Sequence, residues 1–365
     1  MAFGMVMLYS AAMVQKGAHY MMMQAMWGAA GLVACGFMAS IDYRRWKSSV
    51  KWKNLSIYCW AIAVALLILV LKFGIVRNHS RRWFDLGIGS FQPSEAAKLA
   101  MILFIAWYAE HYQRFMRTFS RGIILPMGIV GLGLVPIFVE PDRGTTMLLG
   151  VLLCYMLLLG GARWWHIVLP GLVGALFIVH SISNDSLRTD RVRAWLDPEK
   201  YQTTIAYQQW QSIVAIGNGG VEGLGLGNGR QKMGFLPEHH TDFIYSVVAE
   251  ELGLYASLAV VVAFIVFLLS GIYIAWHADN LFGFLIASGI TFLIGMQSFI
   301  NMSVVTNLLP NKGMALPFMS YGGSNLLMTL AMVGLLMSVA SHRESTASDL
   351  EAEDLIDPDL TTETA

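Results

Sequence analysis

The stretch from Gly234 to Gly253, GFLPEHHTDFIYSVVAEELG, places an unusual number of ionisable side chains against an apolar run. Asp242 follows Pro237 and precedes the run directly, where a membrane-spanning helix would begin. A carboxylate in this position can act as a general base for a hydroxyl group, or it can cap the first turn of the helix. These residues alone leave both roles open.

Glu250 and Glu251 lie inside the same apolar run. A helix that starts near Thr241 would carry Glu250 roughly 12 Å deeper, at ~1.5 Å of rise per residue. Carboxylates at such a depth are costly unless they face a water-filled cavity or a basic partner. We therefore expect both glutamates to brace the helix through hydrogen bonds.

Further polar segments interrupt the apolar sequence at FQPSEAAK (91–98), EPDRGTT (140–146) and NLLPNKGMALPFMSYGGSN (307–325). In the first, the i,i+3 spacing of Glu95 and Lys98 predicts an ion pair. With Arg81 and Arg82 these segments predict a charged vestibule on the outer side of the membrane. Its bases could hold phosphate while a carboxylate deprotonates a hydroxyl, which suits an amphiphile with an anionic head and a lipid tail.

The composition indicates that these segments are positioned by membrane helices. Hydrophobic residues make up 56% of the 365 residues, charged residues make up 13%, and the mean hydropathy is +0.57, values typical of membrane proteins. Runs long enough to cross roughly 30 Å of hydrocarbon, together with shorter runs at 1–14 and 96–109, predict an all-α polytopic membrane protein with about ten transmembrane helices. The longer runs lie at 18–40, 56–76, 122–139, 144–160, 164–182, 243–275, 281–306 and 315–340.

Basic residues in short loops predict the orientation, because cytoplasmic loops are enriched in Lys and Arg. With both termini in the cytoplasm, the loops that carry most of them face inward, and Arg77, Arg81 and Arg82 are the exception. The inward-facing basic residues are Arg44, Arg45, Lys47, Lys51, Lys53, Arg114, Arg117 and Arg121.

The domain organisation follows from the connections. We expect a single membrane domain over 1–341, with one large extracytoplasmic loop, 183–242, between helices 7 and 8. In this loop residues 201–219 have the spacing of an amphipathic helix, which would lie either in the membrane interface or over the mouth of the bundle. Residues 342–365 form an acidic tail for which the composition predicts disorder in the cytoplasm.

Five segments resemble one known family. HHTDFIYSVVAEELG, GLGLGNGRQKMGFLPE, FQPSEAAK, EPDRGTT and ALPFMSYGGSN occur in the order typical of the SEDS family (shape, elongation, division and sporulation), which includes FtsW and RodA, and the similarity runs from Met1 to about Ser341. The sequence LDP at 196–198 is more similar to the FtsW branch. The resemblance implies a peptidoglycan glycosyltransferase that polymerises lipid II at the outer face of the bacterial cytoplasmic membrane, for cell division or cell shape.

The resemblance also implies roles for individual residues. The essential aspartate of the family matches Asp242, its acidic and basic pair matches Glu95 and Lys98, and the aspartate of its PD-x-GT turn matches Asp142. It further implies a class B penicillin-binding protein and other divisome or elongasome membrane proteins as partners, and a divalent cation, Mg²⁺ or Mn²⁺, with unknown ligands. Arg143 departs from the family, which usually has an apolar residue at this position of the turn.

The residues at these positions fit a reaction mechanism. Transfer from an α-linked pyrophosphate to a β-linked product inverts the anomeric carbon, so a single displacement needs a base for the acceptor 4-hydroxyl and cations for the departing pyrophosphate. We expect Asp242 to be the base. The candidate ligands of the pyrophosphate are Lys98, Arg81, Arg82 and the divalent cation. Glu95 would orient Lys98.

The main alternative is a flippase or transporter of a lipid-linked precursor, which would use the same vestibule for passage. Transporters commonly contain internal repeats with broken helices in matched halves. Residues 1–180 and 181–340 show no convincing repeat, and a long loop on one side of the membrane favours chemistry at the surface. A membrane scaffold for division proteins would leave the charges of the vestibule unexplained.

Overall fold

The computed structural model describes residues 1–13, 17–47, 54–77, 80–87, 89–184 and 186–356, and in this part of the chain twelve α-helices dominate. Lys51 and Lys53 of the predicted cytoplasmic loop lie outside the described residues. The helices are α1 (Ala2–Ala12), α2 (Gly17–Ser40), α3 (Leu55–Phe73), α4 (Pro93–His111), α5 (Leu125–Val139), α6 (Arg143–Leu159), α7 (Trp164–Ser183), α8 (Ser186–Leu196), α9 (Tyr207–Gly219), α10 (Ile244–Trp276), α11 (Leu281–Val305) and α12 (Gly323–Ile356).

The helices confirm a multi-pass, mostly helical membrane protein. Six segments in the described part of the chain are long and apolar enough to cross a bilayer: Ala18–Ser40, Leu55–Phe73, Ser120–Val139, Ile244–Trp276, Leu281–Val305 and Gly323–His342. The shorter apolar helices α1 and α6, together with α4 and α7, coincide with the other predicted runs. The count of ten spans stays a prediction, as does the side of the membrane on which the long loop lies.

The centre of the bundle is formed by α4 and α11. Residues 100–109 of α4 are all buried, and α4 packs against α3, α6 and α11. The outer helix α10 instead exposes a row of apolar side chains, including Leu258, Val262 and Leu269. An apolar outer surface of this kind is stable against lipid, whereas the central helices hold polar side chains at their ends in fixed positions.

A small antiparallel sheet between α3 and α4 was not part of the all-α prediction. Its strands are β1 (Ile75–Arg77), β2 (Ser80–Asp85) and β3 (Ser90–Phe91), in the order β1-β2-β3. Because side chains alternate along a strand, Arg81 and Arg82 point to opposite sides of β2, and Arg81 is the more exposed of the two.

Gly253 interrupts α10 with φ 71° and ψ −165°, a conformation that favours glycine. The glycine-rich segment 217–229 satisfies the backbone at this kink. Leu224 N donates to the carbonyl of Glu250 at 3.0 Å, and Gly225 N donates to that of Glu251 at 2.8 Å. A Cβ on Gly223 would lie 2.3 Å from the Glu251 carbonyl oxygen, so this glycine permits the close approach of the two backbones.

Glu250 and Glu251 brace the first half of α10, as predicted. Glu250 Oε1 accepts hydrogen bonds from the backbone N–H groups of Arg230 (2.9 Å) and Gln231 (3.2 Å). Glu251 Oε1 accepts from Lys232 Nζ at 2.6 Å and from Ser10 Oγ at 2.8 Å. Gly227 N of the glycine-rich segment donates to Glu251 Oε2 at 3.0 Å. The Lys232 and Glu251 side chains are both 0% exposed, so Glu251 joins α1, α10, Lys232 and the glycine-rich segment inside the protein.

Helix α9 lies within the predicted loop 183–242 and packs against α10 and α11. Ser212 Oγ donates to the Val305 carbonyl at 2.7 Å, and Gln209 Nε2 donates to the Leu309 carbonyl at 2.9 Å. Of the two possibilities for this amphipathic segment, the contacts favour a helix packed over the end of the bundle.

Helix α12 continues into the acidic tail. The backbone is helical as far as Ile356, within the segment 342–365 for which the composition predicts disorder. Residues 357–365 lie outside the described residues.

Candidate active site

Asp242 lies immediately before α10, but it does not cap this helix. The helix begins at Ile244, and its N-cap residue is Phe243, without a side-chain cap hydrogen bond. The backbone oxygen of Asp242 accepts a 2.7 Å hydrogen bond from Asn301 Nδ2. Among the described residues, none donates a hydrogen bond to its carboxylate, so this group is available to a ligand.

The surroundings of Asp242 tune its acidity. Burial is the largest effect, and with the negative charges of Glu238 and Asp142 it raises the pKa of Asp242 to about 7, against the opposing charge of Lys312. A group with a pKa near the working pH is best suited to general base catalysis, since it is deprotonated often enough and still holds a proton well.

Asp142 is the residue that caps a helix. Its carboxylate accepts hydrogen bonds from Thr145 N at 3.1 Å and Thr145 Oγ1 at 2.9 Å, at the start of α6. Its Oδ2 also lies 4.0 Å from Arg82 Nη1. Arg143, the departure from the family pattern, begins α6 and places its guanidinium over the Phe138 ring, 5.2 Å from the centroid.

The two arginines of β2 have different surroundings. Arg82 Nε donates to the Glu140 carbonyl at 2.9 Å, and its guanidinium faces Asp142. Arg81 donates to the Lys72 carbonyl at 3.2 Å on the exposed side of the sheet. The structure therefore brings Arg82 into the charged cluster and leaves Arg81 outside it.

Glu95 and Lys98 form the predicted ion pair in the first turns of α4. Lys98 Nζ lies 2.7 Å from Glu95 Oε1 and 2.8 Å from Oε2. Lys98 is 2% exposed and Glu95 is 7% exposed. Asn325 Nδ2 donates to Glu95 Oε2 at 3.1 Å, which ties the pair to the start of α12. Pro93 sets the beginning of α4, where a missing N–H costs nothing.

Lys312 is the member of the cluster that the sequence analysis missed. It lies on the connection between α11 and α12, beside Gly144 at the start of α6. Burial lowers the pKa of Lys312 to about 8, and the other charges that act on it are Asp142, Lys98, Arg82 and Asp242. A signal was present, because Lys312 is the one Asp, Glu, Lys or Arg between Asp279 and Arg343.

Glu140 is a second carboxyl with altered acidity in this region. It is 2% exposed, and its Oε1 has no hydrogen-bond partner among the described residues. Burial, and then the charge of Asp142, raise the pKa of Glu140 to about 8 against the opposing charge of Arg82. The group is therefore mostly neutral at pH 7.

Five charged side chains from five separate elements meet in this cluster: Arg82 (β2), Lys98 (α4), Asp142 (start of α6), Asp242 (start of α10) and Lys312 (loop before α12). Asp142, Arg82 and Lys98 are engaged by protein groups. Among the described residues, the Asp242 carboxylate and the Lys312 ammonium have no hydrogen-bond partner. A base and a cation at the entry to a membrane helix can serve a reaction in which a hydroxyl loses a proton and an anion leaves.

The donor set does not form a metal site by itself. In the described part of the chain, no three or more His, Cys, Asp and Glu side chains converge as metal ligands. Mg²⁺ often binds through one or two carboxylates together with substrate phosphates. The protein part of such a site would be Asp142 or Asp242.

Known proteins are similar to this chain along nearly its whole length. The family model FTSW_RODA_SPOVE, described as a cell cycle protein, matches residues 1–345. The probable peptidoglycan glycosyltransferase FtsW of Geobacter sulfurreducens is 36% identical over 346 residues, covering 93% of this chain and 92% of the relative. Stage V sporulation protein E of Bacillus subtilis is 38% identical over 347 residues, covering 93% of each.

Solved structures are similar over the same length. A chain from a peptidoglycan synthase complex, described for its structural coordination of polymerization and crosslinking, superposes with a TM-score of 0.78 at 27% identity and covers 94% of both chains. The rod shape determining protein RodA of Thermus thermophilus superposes with a TM-score of 0.69 at 26% identity, covering 94% of this chain and 93% of that one. Sequence and fold agree along nearly the whole chain, and this protein therefore belongs to the FtsW/RodA/SpoVE family.

Proposed function

We propose that this membrane protein is a peptidoglycan glycosyltransferase that polymerises lipid II, with Asp242 as its general base. The observation that carries the proposal is the Asp242 carboxylate, which has no protein hydrogen-bond donor among the described residues and a pKa of about 7. A structural carboxylate in this position would cap a helix, as Asp142 does, or form an ion pair, as Glu95 does. The relatives named as peptidoglycan glycosyltransferases support the same activity.

The reaction that fits the cluster is a single displacement. Asp242 accepts the proton of the acceptor hydroxyl, and the hydroxyl oxygen forms a bond to the anomeric carbon of the donor. The bond between that carbon and the phosphate oxygen breaks, and its electron pair leaves with the lipid-linked pyrophosphate. One displacement inverts the anomeric carbon, so an α-linked donor gives a β-linked product.

The other charges have supporting roles in this proposal. Lys98, held by Glu95, and Arg82, held by the Glu140 carbonyl, keep two positive charges beside the reacting groups. Preorganised charges of this kind stabilise an anion that develops in the transition state. Arg81 points away from the cluster, so we assign it no direct contact with the pyrophosphate.

We also propose that a divalent cation, Mg²⁺ or Mn²⁺, binds together with the substrate. It would supply positive charge to the pyrophosphate when bound by one protein carboxylate and phosphate oxygens.

A class B penicillin-binding protein is the partner that we propose. One of the similar solved structures comes from a complex that coordinates polymerization with crosslinking, and a glycan polymerase supplies the strands that a crosslinking enzyme needs. We further propose the bacterial cytoplasmic membrane as the location, with both termini inside, and other divisome or elongasome proteins as neighbours.

The test of the function is polymerisation of fluorescent lipid II by the purified full-length chain with its penicillin-binding partner and Mg²⁺ or Mn²⁺. We expect long glycan strands on a gel, and their loss after digestion with lysozyme. Transfer of lipid II across proteoliposomes without any strands would instead support the transporter.

The pH dependence of kcat/KM should form a bell. Asp242 must be deprotonated to accept a proton, so the rate should rise as the pH passes its pKa of about 7. Lys312 must be protonated to remain a cation, so the rate should fall as the pH passes its pKa of about 8. Initial rates of polymerisation measured from pH 5.5 to 9.5 test both limbs.

Glu140→Gln is the control for the alkaline limb, because Glu140 also titrates near pH 8. Since Glu140 is mostly neutral at pH 7, the Glu140→Gln variant should polymerise lipid II at close to the wild-type rate. Its pH profile should keep both the acid and the alkaline limb. Disappearance of the alkaline limb in this variant would assign that limb to Glu140 and contradict the assignment to Lys312.

A further inference from the structure

Three aromatic rings meet beside Asp242 and have no part in the displacement. Tyr20 lies on α2, His240 lies two residues before Asp242, and Tyr321 lies two residues before α12. The centroid of the Tyr20 ring is 4.9 Å from that of His240 and 4.9 Å from that of Tyr321. The centroids of His240 and Tyr321 are 6.1 Å apart. We call these three residues the aromatic corner.

The rings of the aromatic corner stand at angles to one another and do not form a parallel stack. The planes of Tyr20 and Tyr321 cross at 79°, and the plane of His240 is tilted by 36° from Tyr20 and by 51° from Tyr321. All three residues are partly exposed, so ring surface is open to a ligand. The face of an aromatic ring is negative and attracts weakly positive C–H groups.

The backbone attaches the aromatic corner to the proposed base. Tyr321 N donates a hydrogen bond to the carbonyl of His240 at 3.0 Å. Phe243 N donates to the carbonyl of Glu238 at 3.2 Å, which closes the turn that contains His240 and Asp242. Glu238 has a φ of 54°, and strained backbone of this kind clusters at ligand sites. One turn therefore presents both an aromatic ring and the carboxylate.

Helix α2 and the loop before α12 fix the other two rings. Gln24, one turn after Tyr20, is 2% exposed, and its Nε2 donates to the Ser320 carbonyl at 3.0 Å. Ser320 Oγ accepts a hydrogen bond from Leu316 N at 2.8 Å. Because these buried contacts hold the rings without a ligand, the aromatic corner is preorganised, and a preorganised site loses less entropy on binding.

We propose that the aromatic corner binds the sugar ring that carries the acceptor hydroxyl. A pyranose with equatorial substituents directs its axial C–H groups to its two faces, and such a face packs against an aromatic ring. Thr241 and Asp242, which follow His240, are partly exposed as well. The hydroxyl groups at the edge of a sugar can hydrogen-bond to these side chains, whereas a polyprenyl chain cannot. This inference rests on the proposed function and adds a sugar-binding site to it.

The first test measures binding to the full-length protein in detergent. The ligands are lipid II, lipid I, which lacks the terminal sugar, and undecaprenyl diphosphate. We expect the wild type to bind lipid II more tightly than lipid I. Tyr20→Leu should bind lipid II about 2- to 10-fold more weakly, the scale of one aromatic contact, and the other two ligands as the wild type does. Tyr20→Phe keeps the ring and should retain most of the preference for lipid II.

This result does not depend on the proposed reaction, because binding is measured without polymerisation. A wild-type protein that binds lipid I as tightly as lipid II would overturn the inference. So would a Tyr20→Leu variant that loses all three ligands alike, since Tyr20 would then act on the shared polyprenyl diphosphate or on the fold. Tyr255→Leu is the matched control, because Tyr255 is 70% exposed on α10 outside the aromatic corner, and it should bind all three ligands normally.

The second test asks whether His240 acts through its ring or through its nitrogens. His240→Ala should raise the KM for lipid II about 2- to 10-fold, while the acid limb of the pH profile stays near pH 7, because Asp242 keeps its carboxylate. His240→Phe restores a ring without nitrogens and should recover most of the lost affinity. A phenylalanine variant as impaired as the alanine variant would show that the imidazole nitrogens are required, and it would contradict a site that binds by packing.

Discussion

Asp242→Asn should yield a folded, membrane-inserted protein that polymerises lipid II about 10²–10⁴-fold more slowly, the usual contribution of a general base. The amide has nearly the shape of the carboxylate but cannot accept the hydroxyl proton. The folded state should persist, because no described side chain donates to this carboxylate and the hydrogen bond from Asn301 goes to the backbone oxygen. Polymerisation rates at pH 8 and a thermal melt of each variant measure both effects.

Two further variants separate the chemistry of Asp242 from the charge of its surroundings. Glu238→Gln removes a neighbouring negative charge that raises the pKa of Asp242, so it should keep the activity and move the acid limb to lower pH. Gly313→Ala leaves Asp242 in place in the sequence but puts a Cβ 2.4 Å from its Oδ2, so it should slow polymerisation.

Gly322→Ala is the matched control for the glycine variant, because its nearest neighbour, Asn325 Cβ, lies 3.6 Å away. It should behave as wild type. If Asp242→Asn itself polymerised at the wild-type rate, the base would lie elsewhere in the cluster and Asp242 would be a structural residue.

The sequence predicts the membrane helices well because their signal is local. Most long apolar runs became helices with bounds within a few residues, such as 56–76 with Leu55–Phe73 and 281–306 with Leu281–Val305, whereas the run 315–340 became Gly323–Ile356. The same holds for the ion pair of Glu95 and Lys98, whose i,i+3 spacing on one helix decides the contact. Burial of apolar residues and helix geometry are enough for these features.

The sequence does not distinguish the roles of Asp142 and Asp242, because each precedes an apolar helix. The structure separates them by a shift of one position. Asp142 directly precedes α6 and caps it through Thr145, whereas α10 begins only at Ile244, so the Asp242 carboxylate has no cap to form. Helix ends depend on the surrounding packing, and propensity does not fix them to one residue.

Lys312 could not be placed in the site by local pattern because its position depends on tertiary packing. Gly144 and Lys312 are distant in sequence, and the two are neighbours only because the start of α6 packs against the loop before α12. The three-stranded sheet was missed for a related reason. Strands of two to six residues carry too little periodicity to be recognised, yet this sheet determines that Arg82 and not Arg81 faces the cluster.

The second large effect is a loss of stability, expected when one partner of the buried ion pair of Lys232 and Glu251 is removed. Both side chains are 0% exposed and their charged atoms lie 2.6 Å apart. Removal of one partner from a buried pair leaves an uncompensated charge and costs about 3–5 kcal/mol. Lys232→Met should therefore lower the free energy of unfolding by that amount, measured by SDS titration of the protein in mixed micelles.

The same change at the surface should have little effect. Arg193 and Asp190 form an exposed pair at 3.3 Å, with side chains 64% and 37% exposed, so Arg193→Met should cost less than about 1 kcal/mol. The double variant Lys232→Met, Glu251→Gln should regain much of the lost stability, because an amide keeps the hydrogen bonds from Ser10 and Gly227 without a charge.

The double variant also relates the brace to the active site. Lys232 and Glu251 hold α1, and Glu251 holds Gly227 of the glycine-rich segment, against the part of α10 that follows Asp242. Neither Lys232 nor Glu251 belongs to the charged cluster. Polymerisation should therefore fall in Lys232→Met and return in the double variant together with stability. A double variant that is stable but inactive would show that the charge of Lys232 or Glu251 takes part in catalysis, in contradiction to its role as a brace.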